Sequence, residues 1–188
     1  MTAALPTIRA IHTTIGGNAI STLLALILAC ALSVPLAASA QKPVERSLAA
    51  ATDLATEAKQ AFAQDKAYVV LFSETGCMWC ERARQEFLLP MQDDPQLRTK
   101  AVFRKINVDR DEPLRDFNGR ASTHRRFARA EGVRLYPTIA LYMPDGKPAA
   151  EKLTGFTSAV YYGSSIERRI DSARANMAAA RTGTTAPN

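Results

Sequence analysis

Acidic side chains are missing from the first 40 positions of this 188-residue chain, which carry a single strong base, Arg9. Cysteine is scarce too: three residues are too few to staple a small disulfide scaffold. No 20-residue apolar span occurs outside the extreme N-terminus, which excludes a polytopic membrane protein. Collagen and coiled-coil classes fall away with it. What is there is 47% hydrophobic and 22% charged with a formal net charge of +6, the balance of a globular domain rather than a disordered chain.

The uncharged run over 19–40 contains Leu23, Leu24, Leu26, Ile27 and Leu28 and cannot form a solvated surface. Pro35 ends the apolar stretch, and Ala38, Ser39 and Ala40 supply the small residues a signal peptidase needs. Residues 1–40 therefore read as a signal peptide cleaved before Gln41. An uncleaved membrane anchor is the alternative, because the run is just long enough to span a bilayer. A lipoprotein at Cys30 is the weaker reading, since Ile27, Leu28 and Ala29 only loosely fit a lipobox. Every version exports the rest: a domain over 41–181 and a flexible tail over 182–188. That exported part has 148 residues, a net charge of +5 and two cysteines, Cys77 and Cys80. Outside the cytosol such a pair meets an oxidising environment in which a disulfide persists.

Between 47 and 64, Leu48, Ala51, Ala55, Ala58 and Phe62 recur at spacings of three and four, which predicts an amphipathic helix. Residues 67–72 are a continuous run of strand formers, suited to a strand buried on both faces. A break at 73–76 leads into a helical pattern over 77–89 that Pro90 is expected to end. A second strand is predicted over 101–108, then a polar, arginine-rich connection over 109–120 and a short helix ending near Gly132. Residues 133–143 hold a third strand signal interrupted by Pro137, and the turn Pro144-Asp145-Gly146-Lys147 joins it to a fourth strand at 149–153. A last helix over 158–180 has Ile166, Ile170, Ala173 and Met177 as its buried stripe. This order predicts an α/β sandwich with a mixed central sheet, without repeats or a second domain.

Cys77 and Cys80 stand at i and i+3 at the start of a helix, which places their sulfurs on adjacent positions of the first turn, close enough to bond. As a staple the bridge is poor, because so short a loop removes little unfolded-chain entropy. The helix start supplies reactivity instead: unpaired N–H groups and the positive end of the helix dipole favour a thiolate at Cys77. Zinc needs four ligands, and the exported chain adds only His124, expected on a surface helix. A copper site using Met78 has little direct support.

The stretch over 68–91, YVVLFSETGCMWCERARQEFLLPM, resembles the strand, CxxC and helix of a thioredoxin. Gly132-Val133-Arg134-Leu135-Tyr136-Pro137-Thr138, followed by Gly146 and Gly155, is similar to the family's cis-proline strand and hairpin. The likeness covers roughly 45–178, most closely to exported bacterial thioredoxin-like proteins of the thiosulfate-oxidation-associated type. It implies a thioredoxin-like three-layer sandwich with a mixed central β-sheet flanked by helices, and a periplasmic location. It implies further that Cys77 attacks, Cys80 resolves, and Tyr136-Pro137 lies beside them with a cis bond, where the adjacent backbone pairs with substrate. An ordinary trans proline opening a strand is the plainer alternative. Gly76, Met78, Trp79, Tyr136 and Thr138 are the implied substrate-contacting residues.

Several positions depart from the cytosolic pattern. The family's buried acid falls at Leu71, leaving its lysine partner at Lys105 without a carboxylate; Glu74 is the nearest substitute, or simply a solvated loop residue. Gly76 stands where a tryptophan is usual, and Gln85 where a proline kinks the helix. The 109–132 segment is longer than in a minimal thioredoxin. Between Arg104 and Arg134 nine bases face five acids, which suggests acidic protein partners; nucleic acid is not expected.

These readings converge on an exported thiol-disulfide oxidoreductase, expected to reduce protein disulfides with no cofactor beyond its own Cys77–Cys80 disulfide. The implied partners are exported protein disulfides and a membrane electron donor of the DsbD type, with the chain itself a monomer. The rival is a thioredoxin-like binding module, a chaperone or copper-delivery protein whose cysteines hold a client without turnover.

Overall fold

Strand β1 (Ala67–Ser73) explains the rest of the architecture, because six of its seven residues are buried and both of its faces must be covered. A computed structural model describes residues 46–183; the expected signal segment, Cys30 included, and the end of the tail lie outside the described residues. Successive side chains of a strand point to opposite faces. Val69 and Leu71 accordingly enter one core with Phe103, Ile139, Leu141 and Ile166, and Tyr68, Val70 and Phe72 enter another with Ile106, Ala140, Phe127 and Leu54.

The sheet has the order β2-β1-β5-β6, with β2 (Ala101–Asn107) parallel to β1, and β5 (Thr138–Tyr142) and β6 (Pro148–Thr154) antiparallel beyond it. Helices α1 (Leu54–Ala63) and α5 (His124–Ala130) cover one face. The other is covered by α2 (Met78–Ala83), α3 (Leu89–Asp93) and the long α6 (Ala159–Thr182); α4 (Leu97–Lys100) leads into β2. The three layers and the mixed sheet are those predicted. The buried stripe of α6 also matches, with Tyr162 added ahead of Ile166, Ile170, Ala173 and Met177. Burying each of those isoleucines contributes about 1.5–3 kcal/mol.

Five expectations need correction. The first helix starts at Leu54 rather than 47, because Ala50 bridges to Lys105 and Asp53 caps the helix by accepting from the Thr56 N–H at 2.9 Å. Glu57 reaches back to accept from the N–H groups of Thr52 and Asp53, at 2.9 and 3.1 Å, fixing that boundary. Pro90 does not end the second helix. The chain widens into a π-helical turn over Arg84–Leu88, the Leu89 N–H donates to the Arg84 carbonyl, and helix resumes through Asp93. The widened turn accommodates a ring that otherwise clashes with the carbonyl four residues back. The arginine-rich connection contains a small hairpin, β3 (Pro113–Arg115) with β4 (Ala121–Thr123). The third strand begins only at Thr138, since Pro137 has no N–H for a ladder. The last helix runs through Thr182, with Gly183 at φ 69° as its left-handed cap.

His124 is not a surface residue either. It is fully buried: its Nδ1 accepts from the Asn107 N–H at 3.0 Å while its Nε2–H donates to the Ala51 carbonyl at 2.8 Å. It clamps the 46–53 segment to the end of β2, and the imidazole is committed to structure.

Candidate active site

The last β1–β5 pairing, Phe72 with Thr138, sets Pro137 at the sheet end from which the 73–76 loop departs toward α2. That loop is tied down from the neighbouring strand connection. Asp109 accepts from the Thr75 N–H at 3.2 Å, and Arg110 Nε donates to the Thr75 hydroxyl at 3.2 Å. The Thr75 hydrogen bond holds the Asp109 carboxyl below its ordinary value, so this tie is ionised at neutral pH. Gly76 follows at φ 74°, a left-handed conformation that costs a residue with a Cβ about 1–2 kcal/mol, and this bend delivers Cys77 as the N-cap of α2.

Cys77 and Cys80 are disulfide-bonded, their Cα atoms 5.3 Å apart. The two sulfurs differ in access. Cys77 is half-buried on the wall of an open cavity of about 400 Å³, whereas Cys80 is 1% exposed beneath it. The Cys80 N–H donates to Cys77 Sγ at 3.1 Å, so the first turn of the helix already aims a donor at the outer sulfur. Met78 and Trp79, between the cysteines, are 67% and 46% exposed. Trp79 stacks on Phe156 at 5.4 Å, and Arg82 lies over both rings. Phe156 was not foreseen; its position directly after Gly155, in the hairpin strand's exit loop, was the available signal.

Tyr136-Pro137 is cis. Pro137 is buried, and its carbonyl accepts from the Gly155 N–H at 2.8 Å. The Tyr136 backbone carries no hydrogen bond among the described residues, and its side chain lines a second cavity together with Glu74. Thr138 is 2% exposed and its hydroxyl donates to the Leu135 carbonyl at 2.8 Å, so its side chain is turned away from the surface.

Leu71 is buried and in register with Lys105, as the missing acid predicted. Glu74 is exposed on the loop. The carboxylate that shares the Cys77 cavity with Lys105 and Arg84 is also Glu81, one helical turn beyond Cys77, a spacing of four that could have identified it. The hydrogen bond from Arg84 holds Glu81 below the usual carboxylate range, with Gln85 and the charge of Lys105 assisting. Glu81 is therefore a fixed counter-charge to two cations. No group of three or more metal-ligating side chains occurs among the described residues.

An outward sulfur and an inward sulfur bridged at a helix start, on this sheet, define a thiol-disulfide oxidoreductase. A family model for a thioredoxin-like domain matches residues 54–167, and the chain belongs to that family. No curated protein matches it. Among solved structures it is similar to the thioredoxin of Malassezia sympodialis, at 19% identity over 69% of this chain and 95% of the other, with a TM-score of 0.44. It is similar to oxidised mitochondrial thioredoxin 3 of Saccharomyces cerevisiae, at 22% identity over 66% and 93%, TM-score 0.44. It is also similar to the reduced periplasmic thioredoxin SoxS of Paracoccus pantotrophus, at 18% identity over 57% and 99%, TM-score 0.41.

Proposed function

We propose that this protein is an exported, periplasmic reductase of protein disulfides. The observation that carries the reading is the unequal access of the two sulfurs, with Cys77 on an open cavity wall and Cys80 buried behind it. In the reduced protein the Cys77 thiolate attacks one sulfur of a substrate disulfide. The Cys77–S bond forms, the substrate S–S bond breaks, and the departing sulfur takes a proton. Cys80 then loses its proton and attacks Cys77 Sγ, which releases the second substrate thiol and leaves the Cys77–Cys80 disulfide. Two electrons have moved to the substrate, and a membrane dithiol donor of the DsbD type restores them. The free Tyr136 backbone next to Pro137 offers an extended substrate segment a pairing edge, with the Gly76 backbone and the Met78 and Trp79 side chains as its further contacts and the protein acting as a monomer.

Export rests on the N-terminal pattern: basic, then apolar, then small residues before Gln41. Among the described residues no helix is long and apolar enough to cross a membrane.

The test is insulin reduction with dithiothreitol as the electron source. The protein is expected to accelerate precipitation of the insulin B chain over dithiothreitol alone, and Cys77→Ser to abolish the acceleration. No acceleration, with stoichiometric retention of a client or of copper, replaces the reductase with a binding module. Secretion from a Gram-negative host with Gln41 as the new N-terminus checks export; retention of residues 1–40 in the membrane fraction identifies an anchor instead.

A further inference from the structure

The positive excess of the 104–134 segment is not spread along it. All five of its carboxylates are engaged: Asp109 with Thr75 and Arg110, Asp111 with Arg125, Glu112 with Asn107, Asp116 with Arg120, and Glu131 with Lys152 and Tyr142. Arg104 is held by Glu57, Arg115 donates to the Gly119 carbonyl, and Lys105 faces Glu81. Arg126, Arg129 and Arg134 are left, exposed and with guanidinium groups that make no hydrogen bond or ion pair among the described residues.

Arg129 stands at the edge of the active site, with Arg126 ahead of it on α5 and Arg134 five residues after it in the connection to Pro137. Arg126 and Arg129 share a face of α5 at a spacing of three. Arg129 lines a cavity of about 250 Å³ with Glu74 and Tyr136, the residues that border Cys77's cavity and precede Pro137. Arg134 borders a separate depression with Leu135, the residue before Tyr136, and Thr138. Glu74 is the one carboxylate on this wall not already engaged, so the surface keeps a positive excess even with it counted. The Met78, Trp79 and Phe156 surface is apolar apart from Arg82, whose charge is paired with Glu86.

We propose that Arg126, Arg129 and Arg134 form a docking surface for an acidic protein segment, so that the substrate disulfide is one flanked by Asp or Glu residues on its α5 side. The inference rests on the oxidoreductase reading and adds the class of substrate to it. Unpaired cations beside a reactive groove raise the encounter rate of an anionic partner by about 10- to 1,000-fold at low ionic strength, and salt screens the effect.

The test uses three peptides with one common disulfide core, flanked by two Glu, two Gln or two Lys residues. The second-order rate constant for exchange with the reduced protein is followed through Trp79 emission at low salt and at 0.5 M NaCl. The Glu peptide is expected to react at least about tenfold faster than the Gln peptide at low salt, with the ratio collapsing at high salt. In the triple variant Arg126→Gln, Arg129→Gln, Arg134→Gln the ratio, which is the readout, is expected to fall to near one. Equal constants for the Glu and Gln peptides, or a preference that survives the triple substitution, overturn the docking surface while leaving the exchange chemistry standing. Absence of exchange with all three peptides overturns the oxidoreductase reading, and the docking surface with it.

Discussion

Cys80→Ala separates the two sulfurs most cleanly. Removing Cys80 takes away a bridge closing a loop of only four residues, whose entropic contribution is about 2 kcal/mol. The lost buried sulfur adds about 1 kcal/mol. A domain of this size has about 5–15 kcal/mol of stability, so the variant stays folded. Its kinetics change far more. In the wild type, Cys80 is tethered three residues from Cys77, an effective concentration of at least the millimolar order before helix preorganisation is counted. Against micromolar external thiol, losing it prolongs a mixed disulfide on Cys77 by about 10³-fold or more. The assay incubates reduced variant with periplasmic extract, quenches with acid and resolves adducts by non-reducing electrophoresis and mass spectrometry. Adducts on Cys77 are expected to accumulate in Cys80→Ala and to be absent from Cys77→Ala. A folded Cys80→Ala protein without adducts refutes the division of roles, as does a wild type that traps substrates equally well.

Glu57 gathers Thr52, Asp53, Tyr68 and Arg104, and although burial alone raises its pKa, the bonds from Thr52 and Asp53 and the charge of Arg104 bring it below its ordinary 4.5. A lowered folded-state value stabilises the fold above the unfolded pKa and is lost as pH falls through the folded one. Glu57→Gln is therefore expected to cost about 1.5–3 kcal/mol at pH 7, in a urea-unfolding gap that closes as pH drops below 4.5; a pH-independent gap contradicts this. His124→Ala orphans the Asn107 N–H and the Ala51 carbonyl and is expected to cost about 2–4 kcal/mol by the same assay, while exchange at Cys77 persists. Phe156→Ala removes the stack on the chain's one tryptophan. It is expected to red-shift Trp79 emission and to lower stability by about 1–2 kcal/mol; an unmoved spectrum means the rings do not stack in solution.

The chemistry was legible in sequence because it is local. The CxxC needs only a helix start to set its reactivity, the apolar run at 67–72 needs only alternation to be read as a buried strand, and Pro137 betrays itself by interrupting a strand signal. These are properties of neighbours within a turn or a pleat. His124, Phe156, Glu81 and the three unpaired arginines depend instead on which segments meet. A buried and an exposed histidine look alike in sequence, and Leu48 and Ala51 keep helical spacing even where the backbone bridges to β2. Composition fixed the size of the charge excess between Arg104 and Arg134. Only the fold decided which charges are neutralised, because an ion pair depends on the distance between side chains that the chain's order does not specify.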